Sequence, residues 1–235
     1  MLFYNRLIEA ILLKRENLYT AEVLVNNKDT HLVFCPNFRP TPGCDILGSR
    51  VWISKNIETN SKYKYILELC EIDEGYLVDI NCYRTINLVL EALEEKTIKE
   101  LSEYSLDNLQ HAFVDLVLRN KNNELCYLSV NHTTAVDELN RGFFPETVTV
   151  DGKQQLMNLI QMVNNGHKAV LLFCVQNTGV DKLFLSQHID KEYAKVLSQA
   201  IEIGVEVIAY RSEITKNSVT LKESCPITIS QTTIG

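Results

Sequence analysis

The stretch from Phe113 to His132 constrains the fold of this 235-residue chain more than any other. Apolar and polar residues alternate on both sides of the sequence Lys121-Asn122-Asn123, which is the period of two β-strands joined by a turn. If Asn120 pairs with Glu124 across a three-residue loop, Asn123 takes the left-handed backbone conformation. The stretch therefore predicts a β-hairpin with a defined register.

This register places Asp115 opposite Ser129 and predicts that Asp115, Ser129 and Asn131 share one face. A carboxylate on one strand, with an acid and a lysine two residues apart on the next, could hold Mg²⁺ and a cation beside a phosphodiester. Here the neighbouring strand reads Ser129-Val130-Asn131, and only Asp115 carries charge. We therefore expect weak metal binding at this face and no efficient hydrolysis.

The residues before position 85 predict a small β-barrel. Short alternating segments are separated by turn signals, and the sequence CPNFRPTPGC (residues 35–44) interrupts them with three prolines and a glycine. Such regularly spaced strands are typical of a small barrel or sandwich, and a barrel of the oligonucleotide-binding (OB) type is one option. The predicted strands are Asn5 to Leu13, Tyr19 to Val25, Thr30 to Cys35, Arg50 to Ser54, Tyr63 to Glu71 and Gly75 to Ile80.

The residues from Thr85 onward predict alternating helices and strands. Helical periodicity covers residues 85–104 and 152–165, and Asp190 is a plausible N-cap for a helix that ends at Gly204. The apolar runs at 168–175 and 205–210 have the character of buried strands. We therefore predict a barrel domain at residues 1–84 and a mixed α+β or α/β domain at residues 85–235.

The net charge of −7 argues against a generally basic nucleic-acid-binding protein. Residues 1–64, however, contain nine Lys and Arg against six Asp and Glu, so a phosphate-binding surface would lie on the barrel. Ordinary solvated charge is the alternative. The candidates for nucleic-acid contacts are Lys14, Arg15, Tyr19, Asn37, Phe38, Arg39, Lys62 and Lys64.

The seven cysteines are widely spaced and contain no CxxC pair, which makes a disulfide framework improbable. No apolar run reaches the length of a membrane span, and Arg6 and Glu9 interrupt the apolar residues of the N-terminus. We therefore expect a cytoplasmic protein without membrane contacts. The sequence does not indicate an oligomeric state.

Several stretches, in order along nearly the whole chain, resemble the SfsA family of sugar fermentation stimulation proteins. They include RENLYTAEV (residues 15–23), the CPN sequence that begins at Cys35, FFPETVT (143–149), HIDKEYAKVL (188–197) and GVEVIAYRSEI (204–214). The resemblance implies an OB-type barrel followed by a domain similar to restriction-type nucleases of the PD-(D/E)xK class.

The departures from the family pattern lie at the residues that would carry the catalytic chemistry. The family's Glu-Val-Lys is Ser129-Val130-Asn131 here, and of its site residues only Asp115 carries over. The resemblance therefore implies a nuclease-like domain whose site is degenerate. Glu146, in the position of the family's acid after Phe-Pro, is a second candidate metal ligand beside Asp115, with a turn or N-cap role as the alternative.

The first functional hypothesis is a DNA-binding protein or regulator without strong sequence preference, without a cofactor and without nuclease activity. The second is a Mg²⁺- or Mn²⁺-dependent nuclease whose acid and lysine have moved to Glu146 and Lys153. The third is a protein-interaction scaffold, suggested by the acidic C-terminal half. Two minor hypotheses are a general base at His132 and zinc binding at Cys35 and Cys44 with His31 nearby.

Overall fold

Six strands form the N-terminal part of the chain, and five of them close into a barrel. The computed structural model describes residues 1–37, 41–58, 60–72, 75–137, 139–186 and 188–229. The strand order is β3-β2-β1-β4-β5-β6, and a pairing of Phe34 in the third strand with Ile66 in the fifth closes the barrel. The predicted barrel is confirmed. Its strands are β1 (Ile8–Asn17), β2 (Thr20–Val25), β3 (Asp29–Phe34), β4 (Arg50–Lys55), β5 (Tyr65–Glu71) and β6 (Leu77–Asp79).

The barrel interior is filled by the apolar residues that alternate with accessible residues along the strands. In β2, Ala21, Val23 and Val25 point inward, while Glu22 and Leu24 between them remain partly accessible. Val33 and Leu67 complete the interior from the neighbouring strands. The burial of apolar surface is the main interaction that holds such a small barrel closed, and it contributes about 25 cal/mol per Å² of surface removed from water.

The predicted hairpin is present, with the predicted turn. Strands β8 (Leu116–Asn120) and β9 (Leu125–Thr133) are antiparallel, and the Asn120 N–H donates to the Glu124 carbonyl at 3.1 Å. Asn123 has a φ of 63°, the left-handed conformation that the three-residue loop requires. The register of the hairpin is therefore confirmed.

The hairpin belongs to a six-stranded sheet covered on both faces by helices. The order is β14-β13-β11-β9-β8-β7, and the three central strands β9, β11 and β13 are parallel. Helix α1 covers one face, and helices α2 and α3 cover the other. The remaining elements of this sheet and its layers are β7 (Tyr104–Leu106), β11 (Lys168–Val175), β13 (Glu206–Ile214), β14 (Val219–Ser224), α1 (Thr85–Glu94), α2 (Val150–Asn164) and α3 (Lys191–Ile203).

The predicted ends of α2 and α3 agree with the structure. Asp190 caps α3 by accepting from the Tyr193 N–H at 2.9 Å, and Gly204 ends that helix with a φ of 117°. Gly166, which follows α2, has a φ of 83°. Both glycines occupy the left-handed region, where a side chain would be strained.

The first helix ends at Glu94 and is therefore shorter than the predicted helix, which extended to Tyr104. Lys96 has a φ of 56°, and the Thr97 N–H returns to the Ala92 carbonyl at 2.8 Å, as in a Schellman motif. The motif usually contains glycine at the left-handed position. Because a lysine does not signal the end of a helix, the helical periodicity of the sequence continues past the residue at which α1 ends.

A second, three-stranded parallel sheet was not predicted. It consists of β10 (Arg141–Phe144), β12 (Lys182–Leu185) and β15 (Ile227–Ile229). Strands of three or four residues are too short for their period to be recognised in the sequence. Within the described ranges, no helix has both the length and the apolar character needed to cross a membrane.

A buried ion-pair cluster lies where the barrel meets α1. Arg84 pairs with Glu68 of β5 and, at 3.4 Å, with Asp79 of β6, and all three side chains are buried. Burial raises the pKa of Asp79 and lowers the pKa of Arg84 to about 10, because both charged forms lose hydration. The hydroxyl of Ser54 and the amide of Asn81 also donate to Glu68. We call Glu68, Asp79 and Arg84 the junction cluster.

We predict that Arg84→Met lowers the free energy of unfolding at pH 7 by about 3–5 kcal/mol, because it leaves two buried carboxylates without their cation. The loss should shrink as the pH falls, because protonation removes the charge of a buried carboxylate that lacks its cation, and burial already raises the pKa of Asp79. Urea unfolding at pH 7 and pH 5 measures both effects. Arg50→Met, which removes an exposed pair with Glu71, is the control and should cost far less. Equal losses in the two variants would contradict the prediction.

We also predict that Asn123→Val lowers the free energy of unfolding by about 1–2 kcal/mol, because a β-branched residue is strained at positive φ. Asn123→Gly should be close to neutral, since glycine adopts this conformation without a clash. Chemical denaturation of both variants tests the turn. A valine variant as stable as the glycine variant would show that the left-handed conformation is not required.

Candidate functional site

The hairpin brings the three predicted residues together as the register implied. The strand pairing ends at Leu116 opposite Leu128, and the preceding residue, Asp115, bonds to the backbone of Leu128 and Val130, which flank Ser129. Ser129 is completely buried, and Asn131, two residues further along β9, is 7% exposed. Both lie on the sheet face that α2 covers.

Asp115 accepts a hydrogen bond from the backbone of the opposite strand. Its Oδ2 lies 2.7 Å from the Val130 N–H, and its own N–H donates to the Leu128 carbonyl at 3.1 Å. The residue remains exposed as a whole, yet partial burial of its carboxyl raises the pKa of Asp115. Hydrogen bonds from Val130 and the Gln155 side chain oppose this shift. The Asp115 carboxylate therefore acts as a hydrogen-bond acceptor at the end of the hairpin opposite the turn.

Gln155 is a site residue that the sequence analysis missed. It lies on α2, where its Oε1 accepts from Asn131 Nδ2 at 3.2 Å and its side chain also bonds to Asp115. A glutamine beside the apolar residues of a helix gives no signal that distinguishes it from a surface residue. Asp115, Gln155 and Asn131 therefore form a connected network with one charged member. We call these three residues the hairpin network.

An open cavity of about 510 Å³ gives access to Asp115. It is bounded by the loop that precedes β8, and its lining includes Asp107 and His111. Asp107 is hydrogen-bonded to Arg119, and that bond lowers the pKa of Asp107. The His111 ring packs edge-on against Tyr127, with 5.3 Å between the centroids. The second carboxylate in the cavity is therefore already neutralised by an arginine.

The donor set at the hairpin does not fit Mg²⁺. This ion prefers octahedral oxygen ligands and usually one or two carboxylates with phosphate oxygens. Asp115 is the one carboxylate of the hairpin network, and Ser129 Oγ has no hydrogen-bond partner among the described residues. Across those residues, no group of three or more His, Cys, Asp and Glu side chains could hold a metal ion. We therefore derive no catalytic step through a metal here.

The residues proposed as relocated partners do not join the hairpin network by any described contact. Lys153 lies two residues before Gln155, which places it about 200° around α2. Its ammonium interacts electrostatically with Asp190 instead. Glu146 is half-buried in the turn that precedes α2. Its role as a metal ligand stays a prediction.

His132 points to the opposite face of the sheet from Asn131. Its Nδ1 lies 2.9 Å from the hydroxyl of Thr85, at the start of α1. Cys35 and Cys44, the candidate zinc ligands, are buried in the barrel interior, where burial raises the pKa of both thiols. No disulfide joins any of the seven cysteines.

Some of the candidate residues for nucleic-acid contacts are exposed, and others already bond to neighbouring protein groups. Arg15 donates to the Leu18 carbonyl and to Cys35 Sγ, and the Tyr19 carbonyl accepts from the Cys35 N–H. These bonds hold Arg15 and Tyr19 beside the end of β3. Lys14 forms an ion pair with Glu16 at 2.7 Å, so its ammonium already has an anionic partner.

The other candidates have different surroundings. Asn37 is 4% exposed and donates to the Thr41 hydroxyl at 2.6 Å, contacts that favour a structural role. Lys62 and Lys64 are exposed, and neither forms an ion pair with the described carboxylates. Phe38 and Arg39 lie outside the described residues. Their proposed contacts stay predictions.

Comparisons with known proteins agree on one family. The model of the "Sugar fermentation stimulation protein RE domain" (SfsA) matches residues 84–218. A sugar fermentation stimulation protein homolog from Shewanella loihica is 35% identical and aligns with 97% of this chain and 99% of its own length. A homolog from Pseudoalteromonas atlantica is 34% identical over 97% of this chain and all of its own length.

A solved structure gives the same result for the fold. SfsA from Pyrococcus furiosus, determined in complex with Ca²⁺, superposes with a TM-score of 0.85 and covers 97% of this chain and 98% of its own. The two sequences are 19% identical, so this likeness concerns the fold alone. The family model and the full-length relatives together show that this chain belongs to the sugar fermentation stimulation protein (SfsA) family.

Proposed function

We propose that this family member binds nucleic acid through its barrel and that its second domain does not hydrolyse phosphodiesters. DNA binding is the activity through which it would act as a regulator in sugar fermentation, the effect for which the relatives are named. The observation that carries the proposal is the exposed surface around the end of β3. Cationic and aromatic side chains meet there, although the whole chain is acidic.

The barrel surface supports binding because its cations are accessible. Arg15 and Tyr19 are fixed beside Cys35, and Lys62 and Lys64 extend from the segment that precedes β5. Phosphate contacts by such residues release counterions, so binding should weaken steeply with salt. Backbone contacts of this kind hold a strand without reading its sequence, which agrees with binding of low sequence preference.

The hairpin network supports the absence of hydrolysis. Phosphodiester cleavage requires groups that stabilise negative charge as it develops, and each preorganised group of this kind contributes about 10²–10³ in rate. Around Asp115 the neighbouring side chains are neutral amides, and no ammonium or guanidinium approaches it by a described contact. The alternative of a nuclease with relocated residues is weakened by Lys153, whose charge is directed toward Asp190.

We predict salt-dependent binding of DNA, measured by fluorescence anisotropy with duplex and single-stranded oligonucleotides over a salt series. The double variant Lys62→Ala, Lys64→Ala should weaken binding and lower the slope of log K against log salt by about 2, roughly one per lost phosphate contact. Lys121→Ala, an exposed lysine at the hairpin turn, is the control and should keep the parent slope. Absence of binding at low salt would refute the proposed function.

We predict that neither Mg²⁺ nor Mn²⁺ promotes cleavage of plasmid or single-stranded DNA by the parent chain. A thermal melt provides a readout independent of activity: millimolar Mn²⁺ should shift the parent and Asp115→Ala by the same amount, because one carboxylate binds the ion weakly. Metal-dependent cutting that disappears in Asp115→Ala would instead establish the nuclease alternative.

A further inference from the structure

We propose that the outer surface of the barrel carries a stacking site for unpaired bases, formed by the rings of Tyr63, Phe34 and Tyr83. This inference rests on the proposed nucleic-acid binding and specifies its ligand as a single strand of DNA or RNA. We call the three side chains the ring row. The ring row was not among the nucleic-acid contacts predicted from the sequence.

The three rings follow one another across the surface, with Phe34 in the middle. The centroids of Phe34 and Tyr63 are 5.7 Å apart, and those of Phe34 and Tyr83 are 6.3 Å apart. The ring planes of Phe34 and Tyr83 differ by 19°, so these two rings are stacked, and the Tyr63 ring is tilted by 34° from that of Phe34. A row of similarly oriented rings offers successive faces to successive bases, which is the arrangement of single-strand stacking sites.

Each ring is held in place by the barrel. Phe34 ends β3 and alternates with Val33, whose side chain is completely buried, so the phenylalanine points outward. The hydroxyl of Tyr63 lies 2.8 Å from that of Thr20 on β2. Tyr83 lies in the short turn after β6 and is 60% exposed. An aromatic surface that is fixed before the ligand arrives loses little conformational entropy on binding.

Cationic groups surround the ring row and give it charge complementarity to a phosphate backbone. The ammonium of Lys62 lies 4.8 Å from the centroid of Tyr63. Hydrogen bonding to Thr20, and then the nearby Lys62, lower the pKa of Tyr63. The Arg15 guanidinium donates to Cys35, the residue after Phe34.

Tyr19 and Glu58 complete the surroundings of the row. Burial raises the pKa of Tyr83, and electrostatic interactions with Cys82, Tyr19 and Glu58 add smaller increases. Tyr19 is 49% exposed and adds a further aromatic face at this end. Glu58 is the acidic member of the surface, opposed by Lys62 and Arg15.

The ligand should be single-stranded because the ring row presents faces rather than edges. In a duplex the base faces are stacked on one another and cannot reach an aromatic side chain on a convex surface. Stacking tolerates every base, because each has a π-face, and this agrees with low sequence preference. An apolar peptide would use the rings but would not need the adjacent cations.

The experiment compares Tyr83→Ala with the parent by fluorescence anisotropy at low salt. The ligands are oligo(dT) and oligo(U) of about 20 nucleotides, longer than the 4–16 nucleotides that one OB fold occupies, and a DNA duplex of the same length. We expect single strands to bind more tightly than the duplex. Tyr83→Ala should weaken single-strand binding by about 5- to 100-fold and leave duplex binding unchanged. The DNA and RNA arms show which strand is preferred.

Two controls separate stacking from folding. Tyr83→Phe keeps the ring and should bind like the parent, whereas Phe113→Ala removes an aromatic side chain of matched exposure, 61%, on the other domain and should also have no effect. If Tyr83→Ala binds single strands as the parent does while the parent binds DNA, the stacking site is refuted and the proposed function stands. If the parent binds none of the ligands, both are refuted.

Discussion

The junction cluster imposes the central constraint on this structure. Asp79 is completely buried on β6 and Glu68 is 5% exposed on β5, and Arg84 lies within ion-pair distance of both, which offsets part of the cost of burying them. The arginine is also the residue immediately before α1, and Phe3 packs over its guanidinium at 4.6 Å. One cation therefore joins β5 and β6 at the point where α1 begins.

The hairpin network contains one carboxylate, and its other members are neutral amides. Asp115 accepts from the Val130 N–H on the neighbouring strand and Asn131 donates to Gln155 on α2, whereas the buried Ser129 hydroxyl has no hydrogen-bond partner among the described residues. Amides from α2 and β9 fill the positions near the carboxylate. The arrangement stabilises the hairpin against the helix, which gives selection a reason to retain Asp115 independent of any metal.

Much of the fold could be predicted from the sequence because its signals are local. Alternation in β2 and the uninterrupted apolar run of β11 correspond directly to burial on one face or on both. The hairpin register follows from turn chemistry at Asn123. The overlong first helix has a different cause, since Lys96 adopts a conformation that glycine usually signals. The division of the chain at residue 84 stays a prediction.

The proposed functional surfaces were harder to predict because they depend on contacts between distant segments. Gln155 meets Asn131 only when α2 packs on β9, and nothing in its neighbourhood along the chain distinguishes it. The ring row joins residues from three separate parts of the barrel. One partial signal was available: Phe34 occupies an outward position of an alternating strand, where an aromatic residue has no interior to fill.

Strand β6, at the edge of the barrel sheet, is also bonded to the segment that follows β11. The Asp79 N–H donates to the Gln176 carbonyl at 3.0 Å, and Leu77 exchanges hydrogen bonds with Thr178. Apolar side chains of the barrel, Trp52 and Leu69 among them, belong to the same buried cluster as residues of α1. Evolution could therefore not easily recombine either half with a foreign partner, because separation would leave β6 with unsatisfied backbone groups and expose an apolar surface to water.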